Sequence, residues 1–173
     1  CFPKDTKALV SYAAQLGIET TLISSVIEVN RTQPHRILFH LKNVLGSLKN
    51  KKIAILGLSF KPDTDDIRES PAIPIIEKLI LEGTDIVGHD PMVYKLNIPK
   101  KLNELGIKLA NTIQEAISDA DAAVLVTSWL HYIKLSPKFF KKHMKQPIII
   151  DGRRIYDKVA FVKAGIIYKG IGL

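Results

Sequence analysis

The chain opens Cys1-Phe2-Pro3-Lys4-Asp5. A helix start and a neighbouring lysine lower a thiol's pKa and favour the nucleophilic thiolate. A carboxylate four residues further on is placed to orient a water. The competing reading of a lone cysteine is a small buried hydrophobe. Three further segments hold anion-binding residue types. The first is Gly57-Leu58-Ser59-Phe60-Lys61-Pro62-Asp63-Thr64-Asp65-Asp66-Ile67-Arg68-Glu69-Ser70, with Lys61 and Arg68 as anion partners. Its three aspartates are either solvated or paired with Arg68, since they lack the spacing and terminal glutamate of a calcium loop. The second is Thr127-Ser128-Trp129. The third is Asp151-Gly152-Arg153-Arg154, whose arginines suit bidentate phosphate contacts or are plain surface charge. His35, His40, His89, His131 and His143 show no metal-ligand pairing, and no metal is expected.

These segments matter only if the chain brings them together. Residues 5–49 carry helical periodicity alone. Asp5 is placed to cap a first helix ending near Leu16, with Gly17 just past its end. A second helix is predicted from Thr20 to about Leu48, on Leu22, Val26, Val29, Ile37, Leu41, Val44 and Leu48. Pro34 falls inside it and predicts a kink or a missing hydrogen bond. A helix of that length reads as a connector between domains or a dimer spine. From Lys51 onward strands and helices alternate. Strands are predicted at Ile53–Leu56, Asp85–Gly88, Ile107–Leu109, Ala122–Thr127, Ile148–Asp151 and Ile166–Tyr168. Helices are predicted at Pro71–Leu81, Lys100–Leu105, Thr112–Ser118, Pro137–His143 and Lys158–Val162, and His89-Asp90-Pro91 reads as a turn. The fold class is therefore α/β, a long helical region followed by a Rossmann-like parallel sheet flanked by helices. The parts divide as residues 1–49 and 50–173. In such a sheet ligands bind at the carboxyl ends of the strands, where all three loops fall.

Composition narrows the function classes. With 173 residues, 46% of them apolar and 24% charged, the chain is an ordinary globular protein. One cysteine excludes a disulfide framework and a Cys-rich zinc site. No apolar run is long enough for a membrane span, the first residues Cys1-Phe2-Pro3-Lys4-Asp5 do not read as a signal peptide, and a cytoplasmic location is expected. The net charge of +8 suits nucleic acid or anionic phosphates. Aromatic residues are only 7%, without an RNA-stacking motif, which favours phosphates. Neither GxGxxG nor a P-loop lysine motif is present, so the sheet lacks a dinucleotide fingerprint.

Cys1-Phe2-Pro3-Lys4-Asp5, the loop 57–70, Asp151-Gly152-Arg153-Arg154 and the ending Tyr168-Lys169-Gly170-Ile171-Gly172 closely resemble the UDP-glucose/GDP-mannose dehydrogenase family in residues, order and spacing. The Cys-Phe-Pro-Lys-Asp form points to the UDP-glucose branch, and enzymes for UDP-N-acetylmannosamine share part of the pattern. The resemblance implies a parent with an N-terminal NAD-binding domain, a central dimerisation helix and a C-terminal UDP-binding domain. This chain is expected to be a fragment covering the last two, inactive alone. The implied reaction oxidises the sugar's C6 alcohol twice, with two NAD and one water, through a thiohemiacetal and then a thioester on Cys1. Asp5 matches the carboxylate that activates water or shares protons. Phe60, Lys61 and Arg153 match UDP-sugar contacts, and Lys4 and Arg68 match positions that approach NAD. A homodimer through the central helix is implied, with no nucleic-acid or membrane partner. The rival reading is a nucleotide-sugar-binding module without catalysis of its own.

Overall fold

The structure, a computed structural model, describes residues 2–93 and 99–172. Helix α1 (Phe2–Gln15) already runs from Phe2, so Asp5 lies inside its first turn rather than at the cap. It ends as expected at Gly17, whose φ of +69° allows Ile18 N–H to reach Ala13 O (2.9 Å) and Gly17 N–H to reach Ala14 O (3.1 Å). The long second helix is two helices, α2 (Thr21–Thr32) and α3 (His35–Leu45). Pro34 has no N–H to offer, and its ring opposes the preceding turn. Gln33 and Pro34 keep right-handed helical dihedrals, and Arg36 N–H turns to Gln33 O at 3.0 Å in a tighter turn. Gly46, at φ +69°, stops α3 before Leu48, which is buried beyond the helix end.

The rest is one sheet and its helices. The strands are β1 (Lys52–Leu56), β2 (Asp85–His89), β3 (Lys108–Leu109), β4 (Ala122–Leu125), β5 (Ile148–Asp151) and β6 (Ile167–Gly170). All pair in parallel, in the order β3-β2-β1-β4-β5-β6. The helices are α4 (Ala72–Leu81), α5 (Lys100–Glu104), α6 (Ile113–Ile117), α7 (Leu130–Ile133), α8 (Pro137–His143) and α9 (Lys158–Lys163). The short α7 is an addition to the sequence-based expectation: four residues are too few to show a helical period. Strand alternation builds two cores. Ile53, Ile55, Val124, Ile148 and Ile150 face α3 and α4, where Ile37, Leu41, Ile76 and Leu79 are buried. Ala54, Leu56, Leu125 and Ile149 face an aromatic core of Tyr132, Phe140, Tyr156, Phe161 and Tyr168. α3 thus covers the sheet, whereas α2 buries none of its residues. The strand order reverses between β1 and β4, which leaves a crevice at their carboxyl ends.

Candidate functional site

Two buried aspartates shape the loops at that crevice. Asp151, fully buried at the end of β5, accepts from the N–H groups of Arg153 (2.9 Å), Arg154 (2.6 Å), Ile155 (2.9 Å) and Tyr156 (3.2 Å), and from Tyr168 OH (2.9 Å). This carboxylate folds the loop and fixes the Arg153 backbone, with Arg154 in a left-handed conformation at φ +55°. Asp90, at the end of β2, holds the other two loops. Its Oδ2 accepts from Leu58 N–H (2.8 Å), Ser59 N–H (2.9 Å), Ser59 OH (2.8 Å) and Trp129 Nε1–H (3.2 Å). Thr127 OH donates to Ser59 O at 2.6 Å, which ties the loop after β1 to the loop after β4. Gly57 makes this closeness possible: a Cβ there would lie 2.5 Å from Thr127 Cβ, and φ is +97°. Behind the rim, His89 Nδ1 and Tyr132 OH meet at 2.9 Å. Burial pushes the His89 imidazole below its usual pKa, with Asp90 opposing.

A cleft of about 980 Å³ opens at this rim, between the sheet edge and the α1–α2 hairpin. Phe60, Arg68 and Arg153 line it from the loops. Pro3, Thr6 and Lys7 line it from α1, and Arg31 and His35 from the break between α2 and α3. Arg153 donates from Nε to Val126 O at 2.5 Å, which lays the guanidinium over the end of β4. No carboxylate pairs with it among the described residues, and burial lowers its pKa. A partly covered guanidinium with free Nη donors is suited to an incoming anion. The neighbouring cations are already engaged. Lys7 Nζ meets Glu69 at 2.8 Å across the cleft, and Arg68 grips Asp66 at 2.8 Å. That guanidinium holds the Asp66 carboxyl down at about 2.

The sequence-predicted residues therefore separate. Phe60, Arg68 and Arg153 share the cleft. Lys61 is exposed and does not line it. Arg68 is bound to Asp66, the pairing that stood as the alternative to an anion contact. Lys4 and Asp5 are both exposed and pair with each other at 3.4 Å. At about 100° per residue, Asp5 lies roughly 150° around α1 from the side that carries Pro3, Thr6 and Lys7. Cys1 falls outside the described residues. The sequence reading passed over Lys7 and Asp90. The first has a helical signal, since Pro3, Thr6 and Lys7 share one face. The second stood within a predicted turn, and nothing local shows that its partners lie 31 and 32 residues away in the preceding loop.

Comparison with known proteins bears on the ligand. A model of the UDP-binding domain of the UDP-glucose/GDP-mannose dehydrogenase family matches residues 54–158. The UDP-glucose 6-dehydrogenase TuaD of Bacillus subtilis is 38% identical over 99% of this chain and 37% of its own length. The UDP-glucose 6-dehydrogenase AglM of Haloferax volcanii is 40% identical over 91% of this chain and 35% of its own. A UDP-glucose dehydrogenase structure from Pyrobaculum islandicum superposes with a TM-score of 0.78 at 28% identity, covering 99% of this chain and 37% of that one. A UDP-D-ManNAc dehydrogenase structure from Pyrococcus horikoshii gives 0.79 at 27% identity, covering 99% and 38%. The chain thus spans between 35% and 38% of the length of these relatives. With the matched segment running from β1 into α9 and carrying Phe60 and Arg153 at one cleft, the chain belongs to the UDP-glucose/GDP-mannose dehydrogenase family, and residues 54–158 are its UDP-binding domain.

Proposed function

We propose that these residues supply the UDP-sugar site and the nucleophile of an NAD-dependent dehydrogenase that oxidises UDP-glucose to UDP-glucuronate. The observation that carries the reading is Arg153, held over the end of β4 by Val126 O and without a carboxylate partner among the described residues, in a cleft it shares with Phe60. Arg153 takes the diphosphate, and Phe60 packs against the ligand. Lys61, exposed and outside the cleft lining, is assigned only a solvent-screened attraction for the diphosphate.

The sheet's first turn lacks the glycine fingerprint, and its Leu58 and Ser59 N–H groups end on Asp90 rather than facing a ligand. NAD, the hydride acceptor, is assigned to residues outside this chain, with Lys4 and Arg68 approaching it. Cys1 adds as thiolate to the C6 aldehyde: the S–C bond forms, and the carbonyl oxygen takes a proton to give a thiohemiacetal. Once that carbon is at the thioester level, water attacks it, the C–S bond breaks and the thiolate leaves with the electron pair. Asp5, the carboxylate four residues after Cys1, is assigned to receive the water's proton, which requires the sugar's C6 to reach that side of α1 rather than the side carrying Pro3, Thr6 and Lys7.

The exposed Leu22, Val26 and Val29 of α2 form an apolar stripe, which we assign to a homodimer interface. No helix of the described residues is long and apolar enough to cross a membrane, in keeping with a cytoplasmic enzyme. The test is NADH formation by the full-length protein with UDP-glucose and UDP-N-acetylmannosamine. Turnover of UDP-glucose, lost in Cys1→Ser with UDP binding retained, supports the reading. Preference for UDP-N-acetylmannosamine reassigns the sugar, and UDP-glucuronate production at an ordinary rate by Cys1→Ser rejects the covalent route.

A further inference from the structure

We propose that Asp90 is a positioning residue of the nucleotide site, a built-in anion that fills the phosphate cradle of the sheet's first turn and so sets the rim that presents Arg153 to the ligand's diphosphate. The proposal rests on the UDP-site reading above and adds to it the residue that decides where the phosphates go.

In doubly wound sheets that bind dinucleotides, the turn after the first strand offers its N–H groups to a phosphate at the crevice where the strand order reverses. Here that turn follows β1, next to β4. Its successive N–H groups, from Leu58 and Ser59, both point to one oxygen, Asp90 Oδ2, at 2.8 and 2.9 Å. The Ser59 hydroxyl at 2.8 Å and the Trp129 indole at 3.2 Å complete the cradle. The remaining oxygen, Oδ1, is taken by Met92 N–H at 2.9 Å. The cradle exists, and the protein's own carboxylate occupies it.

Asp90 is 4% exposed, and no lysine or arginine pairs with it among the described residues. A carboxylate so placed is costly unless every oxygen is hydrogen-bonded, and a neutral asparagine or serine would close an ordinary turn at lower cost. What the charge adds is reach. It draws together one loop that leads directly into Phe60 and another that begins beside Val126, whose carbonyl holds Arg153 Nε. With the first-turn donors spent on Asp90, Arg153, whose Nη groups have no carboxylate partner among the described residues, is the guanidinium the rim turns toward a diphosphate.

The test is calorimetric titration of UDP into the full-length protein and two variants. Asp90→Asn is nearly isosteric and keeps Oδ1 for Met92, but sets an NH2 group against the N–H groups of Leu58, Ser59 and Trp129. UDP affinity is expected to fall on the order of tenfold, with a cooperative melt retained. Asp90→Ala vacates the cradle. Formate is expected to restore much of its UDP affinity, with chloride at equal ionic strength as the control, because formate returns a carboxylate to those donors. A merely destabilised protein gains nothing specific from formate. If Asp90→Asn binds UDP as tightly as the unmodified protein, or if formate and chloride act alike on Asp90→Ala, the proposal is overturned. If neither variant folds, Ser59→Ala and Trp129→Phe replace them, each removing one donor. A severalfold loss of affinity in both supports the proposal, and unchanged affinity in both overturns it. Failure of the unmodified protein to bind UDP refutes the functional reading instead.

Discussion

Replacing Arg153 tests the cleft most directly. Its Nε is committed to Val126 O, so the Nη groups remain for a ligand, and burial without a carboxylate already depresses its pKa. Hydrogen bonds to charged groups contribute about 1.5–3 kcal/mol each, and a bidentate phosphate contact counts at least one of these in full. At about 1.4 kcal/mol per tenfold, Arg153→Ala should weaken UDP binding roughly 10- to 100-fold. Arg153→Lys should recover less than half of that loss in free energy, because one ammonium cannot both bond Val126 O and grip two phosphate oxygens. Lys61 offers an internal contrast. It is exposed and outside the cleft lining, so Lys61→Ala should cost no more than about threefold, as exposed charges do. Titration of UDP into the full-length protein at one fixed salt concentration separates these cases, with melting curves to confirm folding. The reasoning fails if Arg153→Ala binds UDP within twofold of the unmodified protein, or if Lys61→Ala is the more damaging change.

Acid should destabilise the protein through His89. Burial lowers its folded pKa below the usual 6.5, so its neutral form is the one the fold accommodates. The unfolded chain takes up that proton first, so stability is full above about pH 6.5 and is lost as pH falls toward the folded value. Asp90 and Glu115 oppose the shift and His131 adds to it, and His89→Gln should flatten the fall in melting temperature between pH 7.5 and 5. An unaltered pH slope in that variant refutes the assignment. Gly57→Ala combines φ +97° with a Cβ 2.5 Å from Thr127 and should cost about 2–3 kcal/mol, lowering the melting temperature by roughly 5–10 °C; a shift under about 2 °C would show that the two loops separate freely. For the α2 stripe, Leu22→Asp with Val26→Asp should convert a dimer to monomer in sedimentation, and a dimer that persists places the interface elsewhere. Across the cleft, Lys7→Glu and Glu69→Lys should each lower turnover severalfold, and the two together should restore it. Equal loss in the double variant would mean that the ion pair itself carries no role.

How much of this was legible follows from the range of each interaction. The parallel strands are buried on both faces, so they appear as apolar runs such as Ile53–Leu56 and Ile148–Ile150, and their order along the chain is plain. Pro34 marks a break whatever surrounds it, but the sequence alone left one kinked helix where the structure has two. Only packing separates them: Ile37 and Leu41 are buried against the sheet, while Leu22, Val26 and Val29 stay exposed with the same periodicity. Periodicity reports that a face is apolar, not what covers it. The same limit applies at the site. The rule that ligands gather at strand carboxyl ends located the loops carrying Phe60 and Arg153, because it depends on topology alone. It gave Lys61 the same standing as Arg153, since both follow a strand. What distinguishes them is the contact of Arg153 Nε with Val126 O, between residues 27 apart, and the exposure of Lys61. Charge in the sequence therefore locates the rim, while the buried carboxylates Asp90 and Asp151 decide which of those charges turns inward. Neither aspartate has a cation as its main partner. Both spend themselves mainly on backbone N–H groups, which every residue type but proline carries, and so they leave no compositional trace that a sequence reading could follow.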